Sequence, residues 1–186
     1  MRLIKKIQKF LKSWLGCDRG PTIADMKARG MKVGKNLIVD DSCRFDSSHC
    51  WLIEIGDDVT FGPQTYVLAH DASTKKYLGY TKIGKVTIED GCFIGADSLI
   101  MPGVHIGKNC IIGAKSVVTS NVPDGSVYIG APARFVCTTQ EYIERQKKSM
   151  EKYPVYDESF TLNGGITPEK KQQMLDEMKD RKGFVV

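Results

Sequence analysis

The chain has 186 residues, a length that fits one domain with or without appendages. It carries 27 Lys and Arg against 22 Asp and Glu, a formal net charge of +5. Residues 1–16 contain five bases and no acid, so the remaining chain is balanced. No basic stripe with interleaved aromatics follows, which argues against nucleic-acid binding. No stretch approaches the roughly 20 apolar residues that span a bilayer.

Residues 1–16 form the first predicted element, an amphipathic helix. Its apolar residues share one helical face and its lysines share the other. Two interpretations stay open: the helix packs on its own protein with solvated lysines, or it makes peripheral contact with an anionic membrane surface. Because the lysines interrupt any apolar run typical of a secretory signal, we expect a cytoplasmic protein, with the inner face of the membrane as the second location.

A short second helix is predicted over residues 22–29. Thr22 and Asp25 have the spacing of a capping box, and Gly30 can end the helix. Solenoids need caps that cover their terminal apolar ends. We therefore expect residues 1–30 to form an N-terminal helical cap.

From residue 33 onward, apolar residues recur at intervals of six. A period of six fits neither a 3.6-residue helix nor a hairpin array, but it fits a coil whose short flat segments meet at tight corners. Small residues occupy the fourth step after several of these positions, and Cys43, Cys92 and Cys110 are among them, which predicts small buried thiols in a reducing compartment. The pattern predicts an all-β solenoid over 31–137. The apolar series is Val33, Val39, Phe45; Ile55, Phe61, Val67; Ile88, Ile94, Ile100, Ile106, Ile112 and Val118.

Two segments interrupt this rhythm. The polar stretch 70–82 is too long for a corner and predicts a loop extruded from the coil, and loops on rigid scaffolds often carry function. A second irregularity, "DSSHCWLIE", lies between Phe45 and Ile55. The two segments are candidates for neighbouring positions on successive coils.

The C-terminal extension, 138–186, is predicted to be helical. Thr138 and Glu141 form a second capping-box pattern that begins a helix reaching about Tyr153. A further helix is expected from Pro168 to about Lys182. Its sequence suggests no chemical role.

The repeats from "IEDGCF" to "VTSNVP" resemble those of the left-handed parallel β-helix acyltransferases, known as hexapeptide-repeat proteins. The likeness covers about residues 33–136 and is greatest to acetyltransferases of the maltose, galactoside and capsule-sugar type. Left-handed coiling opposes the usual crossover preference and is implied by the resemblance alone. The resemblance also implies an acetyl-CoA-dependent O-acetyltransferase that acts on a sugar or surface-glycan precursor.

His70, in "LAHDAS", is the candidate catalytic residue. Transfer of an acyl group to a hydroxyl needs a base, and imidazole has a suitable pKa. In the resembling family a histidine at this position is that base, and no covalent intermediate forms. The group that orients His70 is left open between a backbone carbonyl and a remote carboxylate.

Acceptor contacts are expected from the other irregular segment, where His49 and Asp46 either line the acceptor pocket or have a structural role. His105 is predicted to be a solvated corner residue. For the coenzyme, we call the dipeptides Gly95-Ala96 and Gly113-Ala114 the ledges. Their small side chains leave backbone N–H and C=O groups open to the amide-rich pantetheine arm of the coenzyme. By resemblance, Ala96 and Ala114 meet the pantetheine, Thr119 and Ser120 lie near the nucleotide, and Arg134 meets its phosphates.

The resemblance further implies a homotrimer with active sites between subunits and no required metal. Three alternatives remain: an N-acetyltransferase on an amino sugar or sugar nucleotide, a non-catalytic scaffold, and a zinc carbonic anhydrase. The last needs three histidine ligands, two of them close in sequence. The histidines here, His49, His70 and His105, are separated by 21 and 35 residues.

Overall fold

The computed structural model describes residues 21–186. They belong to two compact units, one ending at Val136 and the other spanning Cys137–Val186. The predicted helix 1–16 and its packing or membrane contact lie outside the described residues. Among those that are described, no helix is long and apolar enough to cross a membrane. The predicted division into a cap, a coil and an extension stays a prediction.

Short strands dominate the first unit. In chain order the helices are α1 (Ile23–Ala28), α2 (Lys75–Leu78), α3 (Thr139–Met150) and α4 (Pro168–Glu177). The strands are β1 (Lys32–Val33), β2 (Ile38–Val39), β3 (Arg44–Phe45), β4 (Ile53–Ile55), β5 (Thr60–Phe61), β6 (Tyr66–Val67), β7 (His70–Asp71), β8 (Lys82–Ile83), β9 (Val86–Ile88), β10 (Phe93–Ile94), β11 (Leu99–Ile100), β12 (His105–Ile106), β13 (Ile111–Ile112), β14 (Val117–Val118), β15 (Ser126–Ile129), β16 (Arg134–Thr138), β17 (Val155–Tyr156) and β18 (Phe184–Val185).

Three sheets form the sides of the coil. Sheet 1 has the strand order β1-β4-β9-β12, sheet 2 the order β16-β15-β13-β10-β5-β2, and sheet 3 the order β14-β11-β6-β3. The chain visits the sheets in rotation, and strands from successive coils pair in parallel, as Ile94 with Ile112 and Ile100 with Val118. The solenoid predicted from the six-residue period is confirmed.

The period-six residues are the core of this coil. Ile88, Ile94, Ile100, Ile106 and Ile112 have no exposed surface. Burying each such side chain contributes about 1.5–3 kcal/mol. The fourth-step thiols are buried and unpaired as predicted: Cys43, Cys92 and Cys110.

The corners depend on a feature that the sequence reading missed. Three residues after the apolar position the backbone turns left-handed, as at Asp58, Asp97 and Asn109, with φ of 56°, 58° and 54°. Gly91 and Gly103 occupy the equivalent step with φ of 68° and 84°. Asn, Asp and Gly tolerate this conformation best, so these residues set the corner geometry.

The extruded segment is an ordered excursion rather than an irregular loop. Strands β7 and β8 pair antiparallel, with His70 opposite Ile83 and Asp71 opposite Lys82. An ion pair of 2.6 Å joins the Lys82 Nζ to the Asp71 carboxylate, and Gly84 N donates to Ala69 O at 3.0 Å. These contacts close the base of the excursion and hold His70 at its mouth.

The second unit contains α3, α4 and the parallel pair β17–β18. Both helices begin as predicted, α3 with the Thr138–Glu141 capping box and α4 after Thr167. They end earlier than predicted, at Met150 and Glu177, because the chain must then extend to pair Val155 and Tyr156 with Phe184 and Val185. Helix α1, in the first unit, has the predicted capping box at Thr22.

Candidate active site

The two irregular segments of the coil meet at His70. Asp46 follows strand β3, and His70 begins strand β7, one coil further along. The Asp46 Oδ2 lies in hydrogen-bond contact with the His70 Nδ1. The Asp46 side chain is only 1% exposed, whereas that of His70 is 34% exposed. The carboxylate therefore lies behind the imidazole, which faces solvent.

Asp46 also organises its own segment. Its Oδ1 accepts hydrogen bonds from Ser48 Oγ at 2.7 Å, Ser48 N at 3.1 Å and His49 N at 3.2 Å. Its Oδ2 accepts a further bond from Ala69 N at 3.0 Å. Both carboxylate oxygens are thus engaged in hydrogen bonds inside the protein. The acceptor contact stays a prediction for Asp46, and the contact that the structure shows is the one with His70.

This network sets the charge on Asp46. Burial acts to raise the pKa of the carboxyl, but hydrogen bonds from Ser48, His70 and Ala69 outweigh it and lower the pKa to about 2. Asp46 is therefore ionised at neutral pH. A buried anion at Nδ1 keeps the proton of neutral His70 on that nitrogen. Nε2 then carries the lone pair, and it has no hydrogen-bond partner among residues 21–186.

Ser48 connects the second histidine to the same network. The Ser48 hydroxyl donates to Asp46, so it can act only as an acceptor toward the His49 Nδ1, which lies 2.9 Å away. Neutral His49 therefore also carries its proton on Nδ1 and presents Nε2 as an acceptor. The ring centroids of His49 and His70 are 5.1 Å apart. His49 is half-buried beside His70, and its acceptor contact stays a prediction.

The same residues form the one cluster in the described chain with metal-ligand composition. Candidate ligand atoms of Asp46, His49 and His70 lie within 4.8 Å of one another. The Ser48 hydroxyl lies among them, bonded to Asp46 and His49, and the Asp46 carboxylate already holds the His70 Nδ1. A metal ion would have to replace these hydrogen bonds, so the donor set suits proton handling better.

His105 is remote from this cluster in the coil. It lies on strand β12, not at a corner as predicted, because its register pairs it with Thr87 in sheet 1. It is exposed, as predicted, and its Nε2 contacts the Glu89 carboxylate at 2.8 Å. His105, the third histidine that a zinc carbonic anhydrase would need, is therefore paired with Glu89 and does not join His49 and His70.

The two predicted ledges lie one coil apart at the corner between sheets 2 and 3. An added Cβ on Gly95 would come within 2.4 Å of Ala114 N, so only glycine allows the coils to approach this closely. Ala114 is exposed and Ala96 half-buried. Their N–H groups are not hydrogen-bonded to any backbone carbonyl among the described residues, while Ala96 O accepts from Lys115 N at 2.8 Å.

The other predicted coenzyme contacts are exposed but lie elsewhere on the coil. Thr119 and Ser120 follow strand β14 at the corner between sheets 3 and 1, the edge that also carries His70. Arg134 opens strand β16, with Nη1 bonded to Ala133 O at 3.0 Å. Lys115 is paired with Asp97 at 3.0 Å. Sheet 3 separates the ledges from His70 within one chain.

Comparison with known proteins agrees with this architecture. The family model described as bacterial transferase hexapeptide (six repeats) matches residues 85–120. YvoF of Bacillus subtilis, named provisionally as an acetyltransferase, is 38% identical over 65% of this chain and 68% of its own. Galactoside O-acetyltransferase of Lactococcus lactis is 39% identical over 55% of this chain and 47% of its own. The chain thus spans about half the length of the second relative.

Two solved structures share the fold. A maltose O-acetyltransferase from Clostridium difficile has a TM-score of 0.52 at 24% identity, over 74% of this chain and 89% of that one. A galactoside acetyltransferase in complex with coenzyme A has a TM-score of 0.50 at 24% identity, over 65% and 71%. The predicted left-handed parallel β-helix and the predicted acetyltransferase class are confirmed.

Proposed function

Because the chain belongs to the bacterial hexapeptide transferase family, we propose that it moves an acetyl group from acetyl-CoA to a hydroxyl of a sugar or glycan precursor, with His70 as the general base. One observation carries the proposal. A buried, ionised Asp46 holds the His70 Nδ1, and the His70 Nε2 has no partner in the described chain. This is the arrangement that a base acting on an incoming hydroxyl requires.

The reaction consists of one acyl transfer and two proton transfers, the first to His70 and the second from it. The His70 Nε2 takes the hydroxyl proton while the acceptor oxygen bonds to the thioester carbonyl carbon. The resulting imidazolium is stabilised by the Asp46 anion behind it. The tetrahedral intermediate then collapses, the carbon–sulfur bond breaks, and His70 returns its proton to the departing thiolate. No side chain becomes acylated.

The proposed coenzyme contacts rest on open backbone donors. The N–H groups of Ala96 and Ala114 have no backbone partner among the described residues and are stacked one coil apart, a spacing that suits the amides of a pantetheine arm. Thr119 and Ser120 are proposed to lie near the nucleotide end. The Arg134 guanidinium is exposed and can pair with coenzyme phosphates.

A homotrimer with shared sites is proposed from the three outer faces of the coil. The face of sheet 1 is charged, and it includes the Lys32–Glu54 pair at 2.8 Å. Sheets 2 and 3 instead present apolar side chains, among them Ile38, Phe93 and Tyr66, which are 64%, 46% and 43% exposed. Contact between copies would cover these faces. It would also bring the ledges of one chain toward the His70 of another.

The test is acetyl transfer by the purified protein. Acetyl-CoA would be supplied with maltose, a methyl galactoside or glucosamine, while a thiol reagent follows coenzyme release and mass spectrometry locates the acetyl group. We expect an acetyl ester on a sugar hydroxyl. Acetylation only at the glucosamine nitrogen would replace this proposal with the N-acetyltransferase alternative. If a chelator abolished the activity and added zinc restored it, the proposal that His70 acts as the base without a metal ion would be contradicted.

A further inference from the structure

One large aromatic residue next to the candidate active site has no role in the mechanism above. Trp51 is 56% exposed and lies in the 3₁₀ turn Cys50–Leu52. Its ring centroid is 5.3 Å from that of His49, whose ring is in turn 5.1 Å from His70. The ring of His49 thus neighbours those of both Trp51 and His70, and we call these three rings the aromatic row. A single exposed apolar side chain is common on a protein surface, and what distinguishes Trp51 is its position next to the two histidines of the site.

The position of Trp51 is firmly fixed. Its neighbours Cys50 and Ile53 are 0% and 1% exposed, so the turn is anchored on both sides of the indole. The Cys50 Sγ contacts Met26 O of helix α1 at 3.7 Å. Gly30, with φ of 105°, leaves room for the tryptophan, because an added Cβ would lie 3.1 Å from the Trp51 Cβ. The backbone that carries the indole is thus held in place, which lowers the cost of ordering it on a ligand.

The chemistry of the aromatic row changes along its length. His70 and His49 each present an Nε2 acceptor, so this end suits the hydroxyl groups of a sugar. Trp51 offers only a flat apolar face, which suits the C–H face of a pyranose ring through dispersion contacts. Each step along the row, about 5 Å, is comparable to the width of one sugar ring.

We propose that Trp51 binds a second sugar ring of the acceptor, next to the ring whose hydroxyl is acetylated at His70. In this arrangement His49 accepts a hydrogen bond from a hydroxyl of the reacting ring, and the following ring stacks on the indole. The preferred acceptor is therefore a saccharide or glycoside of at least two rings, and a one-ring acceptor binds without this contact. This inference rests on the proposed function for the identity of the reaction, but the saccharide subsite can be tested without turnover.

The kinetic test compares a one-ring and a two-ring acceptor, methyl α-glucopyranoside and maltose. Trp51→Ala should raise the KM for maltose about tenfold, the loss expected for one aromatic contact, and Trp51→Phe should restore most of it. The KM for methyl α-glucopyranoside and that for acetyl-CoA should change less than about twofold. Leu162→Ala, which removes an 84% exposed apolar side chain from the other unit, is the control and should leave all three constants unchanged. If Trp51→Ala raised the KM by the same factor for both sugars, the proposed subsite for a second ring would be overturned.

The binding test uses the fact that the chain has two tryptophans. In Trp14→Phe, Trp51 is the only one, and its fluorescence should respond to maltose in the presence of coenzyme A, where no transfer occurs. A fluorescence response without any acetyl transfer would keep the saccharide subsite while rejecting the proposed reaction. Absence of a response to maltose, cellobiose and lactose alike would overturn the subsite whatever the enzyme activity.

Discussion

In the regular coils between Val86 and Val118, each turn repeats the last, and every interior position is taken by an apolar or small side chain. In the interrupted coil between Asp46 and Ile83, a carboxylate is buried instead, and two histidines reach the surface beside it. The regular coils contribute many of the fully buried core residues but hold none of the proton-transfer groups. The interrupted coil also buries apolar residues, such as Ile53 and Phe61, but it adds all of the proton-transfer groups.

This difference has a physical basis. A buried carboxylate is tolerable only where several donors converge on it, and Asp46 has five such contacts. At the regular corners, carboxylates such as Asp57 and Asp124 accept only one backbone N–H each among the described residues, from Lys35 and Lys108 of the neighbouring coil. Leaving the repeat frees the N–H groups of Ser48, His49 and Ala69 to meet the carboxylate. The break in the rhythm is therefore what allows a charged group inside the solenoid.

The largest expected effect comes from removing the base. His70→Ala should lower kcat by about 10²–10⁴-fold, because general acid–base catalysis contributes that much. The substitution also removes one of the five hydrogen bonds of the buried Asp46 carboxylate and should cost about 1–3 kcal/mol of stability, so kcat is measured where the variant is folded. Coenzyme A affinity by calorimetry should stay near wild type. The matched control is His105→Ala, an exposed histidine on a regular coil whose contact with Glu89 is worth at most about 1 kcal/mol. If kcat fell by a similar factor in both variants, the catalytic groups would not be confined to the interrupted coil.

The regular coils should respond in the opposite way. Ile88→Ala removes a fully buried side chain and should cost about 2–5 kcal/mol of unfolding free energy, measured by urea denaturation. Its neighbour Thr87 faces outward on sheet 1, and Thr87→Ala should cost less than about 0.5 kcal/mol. At a temperature where both variants are folded, kcat should stay close to wild type. A large loss of kcat in folded Ile88→Ala would show that the regular coil takes part in catalysis.

Sequence reasoning went furthest where the structure repeats. Ile94, Ile100 and Ile106 could be placed in the core because one spacing determines them all. The left-handed corner step was missed because its residues, Asp97 and Lys115 among them, share a backbone conformation and not a chemical type. The orienting role of Asp46 could not be predicted, since it depends on contact with His70 across 24 residues and on hydrogen bonds from three backbone N–H groups.

Ser48 and Trp51 were overlooked for a related reason. Their significance comes from the position of the ring of His49, which the broken repeat does not specify. One signal was nevertheless available. Asp46, Ser48 and His49 have the local spacing at which an Asp side chain accepts bonds from the following backbone, so the carboxylate could have been expected to turn inward.

The smallest of these effects tests how the interrupted coil carries its charge. Asp46→Asn keeps the shape but replaces an anion that accepts five contacts by an amide, which leaves buried donors unpaired and should cost about 1–3 kcal/mol at pH 7. The folded-state pKa of about 2 lies below the ordinary value, so the stabilisation by Asp46 is complete above about pH 4 and is lost as the pH falls toward 2. The stability gap between wild type and Asp46→Asn should therefore narrow over that interval in urea titrations. Asp41→Asn, at a nearby exposed carboxylate, should show no such gap in stability.

Asp46→Asn should also lower kcat by about 10–100-fold, because the imidazolium formed at His70 loses the anion that stabilises it. If this variant kept the full kcat of the wild type, the Asp46 carboxylate would not be needed for catalysis by His70.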